Sequence, residues 1–296
     1  MSAASPTPST ASAWLQATRP RTLTAAVGAV AVGSALAQSD HAHRPDVTLA
    51  ALGVATSLQI ASNLYNDYGD FVRGADAERI GPARAAQSGW LTPQHLRLGA
   101  FVAVAVATAC GLHIVRLLGW PALVAGLAAI LSAIAYTGGP APLGYVGLGD
   151  AFVMLFFGVV AVNGTYAAHT GRLTTTSLVT SLAVGALATA ILVVNNLRDR
   201  VGDAKVGKRT LVVRFGAGFG RGEYAALVAL AYAVPIGLAV NERRANWLIA
   251  IATLPLAIAR TRAVWSKDGA HLNPELGRTA LLGLVYNLSL AAGALA

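Results

Sequence analysis

Charge is scarce in this chain: only 12% of its 296 residues are Asp, Glu, Lys or Arg, about half the share of a soluble domain. That shortage, with 55% of residues hydrophobic, excludes both an ordinary water-soluble globule and a disordered chain. There is a single cysteine, Cys110, which excludes a disulfide framework and a cysteine-rich zinc or iron–sulfur centre. Inside an apolar run, Cys110 reads as a small buried side chain. The 31 glycines follow no three-residue period, so a collagen-like chain is excluded too. Acids are few, 13 against 22 lysines and arginines, and where they fall therefore carries weight.

What the chain does have is long apolar runs. A spanning helix needs about 20 mostly apolar residues, and nine such runs are present, roughly 22–38, 47–66, 96–115, 119–136, 151–168, 177–196, 224–240, 246–265 and 279–295. They are continuous Ala/Val/Leu/Gly stretches, not the alternating segments of about ten residues of a membrane barrel, so they predict helices. Residues 1–13, rich in Ser, Thr, Ala and Pro, read as a flexible tail ahead of one transmembrane domain over 14–296.

The net charge of +9 does not indicate nucleic acid, because its placement follows the membrane. With the N-terminus cytoplasmic, one face carries 17 of the 22 cations and the other keeps Arg44, Arg116, Arg172, Arg243 and Arg244. This asymmetry predicts a multi-pass plasma-membrane protein with its N-terminus inside and, after an odd number of spans, its C-terminus outside. Trp14, Trp120, Trp247 and Trp265 fall near predicted helix ends, where an interfacial ring sits well.

Two acidic clusters lie at the predicted cytoplasmic mouth. The second span runs into Asn63, Asn66, Asp67 and Asp70, whose offsets of 0, 3, 4 and 7 place them on one helical stripe. The sixth runs into Asn195, Asp199 and Asp203, at offsets 0, 4 and 8, with Asn196 alongside. Oxygen-only donors suit Mg²⁺, which takes one or two carboxylates and completes its shell with water and phosphate oxygens. Each cluster alone is matched by carboxylates pairing with nearby arginines. Two clusters of the form Asn-x-x-x-Asp, on one face and four spans apart, argue for more: a four-helix repeat with a ninth helix left over, halves 14–150 and 151–296, and a shared central cavity. Arg73 beside the first cluster and Arg198, Arg200, Lys205, Lys208 and Arg209 around the second complete a site for a diphosphate. Positive-inside bias alone accounts for about half of these cations.

Four stretches resemble the UbiA superfamily of intramembrane aromatic prenyltransferases. They are ATRPRTL at 17–23; NLYNDYGDFVRGAD at 63–76 with Gly81-Pro82 after it; YTGGPAPLGYVGLGD at 136–150; and NNLRDRVGDAKVGKRTL at 195–211, about a fifth of the chain. The Gly-Gly-Pro loop and the Gly-Lys-Arg-Thr-Leu run resemble the branch that prenylates 1,4-dihydroxy-2-naphthoate. The resemblance implies nine helices around a cavity open to the bilayer, Mg²⁺, a polyprenyl diphosphate donor and an aromatic acid acceptor. Carried over by position, Asn63, Asp67 and Asp70 serve the first motif, and Asn195, Asp199 and Asp203 the second. The family spaces its first acids as D-x-x-x-D, whereas Asp67 and Asp70 are three apart and Asp76 follows; the second ligand is then Asp70 or Asp76. Lys205, Arg73 and Arg209 are the expected charge compensators, and Tyr136, Tyr145, Tyr65 and Tyr68 stand near the mouth, where a ring face shields a cation or simply anchors the interface.

The rival class is a transporter, which shares helical repeats and polar residues but holds its acids deep in the spans. Here every acid falls at or beyond a predicted span end. The GAGFGRG stretch at 216–222 lacks the G-x-G-x-x-G spacing of a nucleotide loop and is expected to be a flexible link between the sixth and seventh spans.

Overall fold

A computed structural model describes residues 8–75 and 80–296. Within them the protein is all helical: α1 (Thr10–Ala17), α2 (Pro20–Ser39), α3 (Pro45–Val72), α4 (Pro93–Leu118), α5 (Trp120–Ala135), α6 (Gly149–Thr170), α7 (Thr175–Lys205), α8 (Leu211–Glu242), α9 (Ala245–Ser266) and α10 (Gly269–Leu295). Eight of these, α2–α4 and α6–α10, are long and apolar enough to cross a membrane. Proline opens α2, α3 and α4, where a missing N–H is harmless. Thr92, Thr174 and Thr210 cap α4, α7 and α8 with their side-chain oxygens.

The remaining predicted span, fourth in chain order, is α5, which has 16 residues and so reaches only about 24 Å at 1.5 Å per residue. It returns the chain nonetheless. The loop that follows it meets the C-terminal ends of both α3 and α7, through Tyr145 to Asp70 (3.1 Å) and through the Arg209 amide to the Tyr145 carbonyl (2.8 Å). Because α4 leaves the α3 end for the far face, α5 must carry the chain back.

The main core is shared by α2, α6, α7, α8, α9 and α10, with Val184, Leu187, Val193, Leu197, Tyr224 and Tyr286 at its centre. Close glycine contacts set the helix spacing there. Gly158 and Gly185 face each other so tightly that a Cβ on Gly158 would lie 2.7 Å from the Cα of Gly185. The most extensive packing joins α3 to α4 and α7 to α8, corresponding members of the two quartets, with α10 filling the seam against α2 and α7.

Three expectations change. Residues 10–13 belong to α1 and not to a tail, because Ser9 caps the helix through its side chain. The 216–222 stretch is no flexible link: helix α8 runs through it and absorbs a kink at Gly216, whose φ of 86° glycine alone adopts cheaply. Trp247 is not an interfacial anchor but a core side chain, 1% exposed, with its indole N–H donating to Glu242 Oε2 at 2.8 Å. Trp120 and Trp265 are exposed at helix ends, as expected of anchors.

Candidate active site

The last two turns of α3 bring Asp67 and Asp70 to the mouth of the bundle, and the last two turns of α7 bring Asp199 and Asp203. All four are buried. Three of them act electrostatically on one ammonium group, Lys208. Its Nζ lies 3.3 Å from Asp203 Oδ1, and the charges of Asp203, Asp70 and Asp199 together hold its pKa above the ordinary lysine value of 10.5 although burial opposes its charge. The local sequence explains its position. Gly207, at φ 73°, turns the chain back at the end of α7, and the Lys208 amide donates to the Asp203 carbonyl at 2.8 Å.

Each carboxylate has a partner already. Arg84, from the segment following α3, donates to Asp70 Oδ2 at 3.2 Å with both side chains 8% exposed. The amides of Ala85 and Ala86 donate to Asp67 at 3.0 and 3.4 Å, so Asp67 also moors that segment to α3. Arg198 forms a fork on Asp199, with Nε to Oδ1 at 2.7 Å, and reaches Asn195 Oδ1 at 2.6 Å and Asn273 Oδ1 at 3.3 Å. Asn273 in turn donates to the Ile80 carbonyl at 3.1 Å, tying the second cluster to the segment that wraps the first.

Other expected residues scaffold the site. Asn63 donates to the Thr18 carbonyl and Thr22 Oγ1, both at 2.9 Å, which fixes the start of α2. Asn66 accepts from Thr137 Oγ1 at 3.0 Å. The Arg73 guanidinium grips the loop after α5 at the carbonyls of Thr137 and Gly139, the latter at 2.6 Å. Tyr136 is half-buried beneath Gly144 and Gly149, and Asn196 is buried in α7. Arg198 was expected at substrate, but its fork is spent on neighbouring side chains, so it positions Asp199 and Asn195. Lys205 and Arg209 are exposed; Arg209 lies with Arg73, Tyr145 and Arg214 around an adjoining cavity of about 530 Å³. Asp76 falls outside the described residues.

Sequence reasoning placed Lys208 only among five cations around the second cluster, did not single out Arg84 or Asn273, and gave Tyr145 only a general shielding role. The Tyr145 hydroxyl donates to Asp70 Oδ1 at 3.1 Å, and its ring is flanked by Arg73 and Lys208, 5.6 and 5.8 Å from the centroid. Burial and the nearby carboxylates push the phenols of Tyr136 and Tyr145 up, so both keep their protons and act as donors.

A divalent cation fits this donor set. Every side-chain donor is a hard oxygen, and Asp203 Oδ2 is buried without a hydrogen-bond partner. Among the described residues no three Asp, Glu, His or Cys groups enclose an ion by themselves, so phosphate oxygens would have to complete its shell.

A polytopic helical bundle with paired carboxylates and cations at one mouth defines a membrane protein with a site for an anionic group. Residues 26–282 match the UbiA prenyltransferase family, and the chain belongs to that family. It is 38% identical over 293 residues to the 1,4-dihydroxy-2-naphthoate octaprenyltransferase of Escherichia coli (strain K12), covering 95% of this chain and 94% of that protein. It is 39% identical over 286 residues to the protein of the same name from Mycobacterium tuberculosis, covering 96% of each. The fold matches a UbiA homolog from Aeropyrum pernix K1 (TM-score 0.67, 17% identity, 92% of this chain and 96% of that one). It also matches a UbiA homolog from Archaeoglobus fulgidus bound to GPP and Mg²⁺ (TM-score 0.64, 16% identity, 94% and 99%).

Proposed function

We propose that this protein transfers a polyprenyl chain from an allylic diphosphate to 1,4-dihydroxy-2-naphthoate at the cytoplasmic face of the plasma membrane, releasing CO₂ and diphosphate and giving demethylmenaquinol. The observation that carries the reading is Lys208, paired with Asp203 of the second motif at 3.3 Å and within the electrostatic reach of Asp199 and of Asp70 from the first. Relatives that share 35–39% of its sequence and bear the naphthoate name support the choice of acceptor. The placement of 17 cations on one face supports the cytoplasmic side.

Asp67, Asp70, Asp199 and Asp203 would hold Mg²⁺, which when bound supplies Lewis-acid stabilisation of the departing diphosphate. Lys208 and Arg84 supply fixed positive charge beside it, and the cations of the adjoining cavity, Arg73 and Arg209, attract the donor to the mouth. Tyr145 donates a hydrogen bond to Asp70 at the same place. Burial beneath the loop after α5 keeps water from the allylic cation.

The test is to incubate membranes holding the protein with Mg²⁺, a polyprenyl diphosphate and one acceptor at a time. Prenylated product and released CO₂ with the naphthoate are expected, and Asp67→Ala and Asp199→Ala should each lower turnover by at least about a hundredfold. Turnover with 4-hydroxybenzoate and none with the naphthoate would assign the protein to another branch of the family.

A further inference from the structure

A second pair of acids lies near this site, and the chemistry above leaves it without a task. Asp150, in the first turn of α6, is 6% exposed, and its Oδ1 is buried with no hydrogen-bond partner. Glu223 of α8, within electrostatic reach of Asp150, likewise has a buried Oε2 with no partner. A buried carboxylate oxygen left unpaired costs more than an exposed one and calls for an occupant. Its location narrows what that occupant is. Gly149 backs so closely on Tyr136 that a Cβ there would come within 2.9 Å of the phenol oxygen, and Tyr136 feels the charges of Asp150 on one side and of Asp70 and Asp203 on the other. The unpaired carboxylate and the acids of the diphosphate cluster thus share one neighbour, Tyr136, which places Asp150 close to where an acceptor ring must meet the allylic carbon.

We infer that Asp150 is an acceptor-binding residue: its free carboxylate oxygen takes the hydrogen bond of a ring hydroxyl on the aromatic acid, orienting the ring and raising its electron density toward phenolate. Resting on the proposed function, this deepens it. In the transfer itself the allylic C–O bond breaks with its electron pair leaving on diphosphate, and the ring carbon bearing carboxylate bonds to the prenyl carbon. The C–CO₂ bond then breaks, returning its pair to the ring. The hydroxyl proton, shared with Asp150 during attack, stays on the acceptor oxygen as aromaticity returns, so no net proton is taken up.

The test uses the full-length protein in detergent or membranes and two readouts. The first is binding of 1-hydroxy-2-naphthoate without prenyl donor, followed by its absorbance. The expected result is a shift toward the phenolate spectrum with the wild type that is lost in Asp150→Asn. The second is steady-state kinetics, where Asp150→Asn should lower kcat/KM for the acceptor at least about thirtyfold while the KM for prenyl diphosphate stays within twofold, and Asp150→Glu should recover part of the loss. An unchanged spectrum and acceptor kcat/KM in Asp150→Asn would overturn the inference. So would equal losses toward both substrates with a lowered melting temperature, the mark of a purely structural carboxylate. If the wild type prenylates a different hydroxylated aromatic, the naphthoate reading fails while Asp150 is judged on that acceptor; if it accepts none, both fail.

Discussion

Replacing Lys208 by Met tests whether the two acidic motifs act as one site. The ammonium lies 3.3 Å from Asp203 Oδ1, and the two side chains are 13% and 11% exposed. At that separation and an effective dielectric constant of about 20, the gross attraction is about 5 kcal/mol. Removing one partner of a buried pair leaves the other charge unpaired and costs about 3–5 kcal/mol; since about a tenth of each side chain meets solvent, the lower end, about 3 kcal/mol, is expected. Lys208→Met should therefore melt several degrees below the wild type in the same detergent. Turnover should fall by about a hundredfold, the cost of losing one preorganised charge beside a leaving group. Asp203→Asn combined with Lys208→Met should recover most of the stability, because the unpaired charge is gone, but none of the turnover. The pH dependence has a definite sign. A lysine whose folded pKa is raised above 10.5 contributes stability that is fully present below 10.5 and lost as pH rises through the raised value. Lys208 should thus add no slope to stability between about pH 6 and 9, and Lys208→Met should remove only an alkaline loss. A variant that melts with the wild type and turns over within threefold of it would refute the shared-site argument.

Gly69 sits between Asp67 and Asp70 because the loop after α5 needs the space: a Cβ there would lie 2.8 Å from Thr137 Oγ1 and 3.3 Å from the Thr137 carbonyl. Gly69→Ala should displace the loop that carries Tyr136 and Tyr145 and lower kcat by about tenfold, an overpacking cost of about 1–3 kcal/mol; kcat within twofold of the wild type would show that the loop does not bear on the reaction. Tyr145→Phe removes a donor to the Asp70 carboxylate, a bond of about 1.5–3 kcal/mol. It should reduce kcat/KM for the prenyl diphosphate by about 10- to 100-fold with little change in melting temperature, and an effect confined to the acceptor's KM would contradict this placement.

The spans were legible because lipid allows so few solutions: each apolar run of about 20 residues had to become a helix, and nine did. The two acidic stripes were legible for a related reason, since carboxylates at a membrane boundary are expensive unless they are paired or used. Lys208 was hidden by that same environment. It stands in sequence among Arg198, Arg200, Lys205 and Arg209, and positive-inside bias makes any one of them unremarkable; only Gly207, which lets the chain double back, separates it from its neighbours. Trp247 misled because proximity to a helix end says nothing about which side a helix presents, and Glu242 five residues earlier supplied the buried acceptor its indole needs. The 216–222 stretch misled because four glycines in seven residues suggest a break, while Thr210 caps a helix that continues through it with one distorted residue.

Arg84, Arg198 and Lys208 also explain how four carboxylates share one buried mouth before any substrate arrives. Each cation neutralises an acid at a distance of 3.3 Å or less, so the site itself carries no large unpaired charge in a poorly screened place. A diphosphate entering with a divalent cation brings charge of both signs. The phosphate oxygens can take the guanidinium and ammonium groups while the metal takes the carboxylates, so ion pairs are exchanged and not created from solvated ions. The arrangement makes a distinct demand on selectivity: a prenyl diphosphate without the metal offers new partners to the cations but none to Asp70, Asp199 and Asp203, and the metal alone offers none to Lys208. Neither should bind well by itself, and joint binding follows from charge balance across the site, with no conformational switch required.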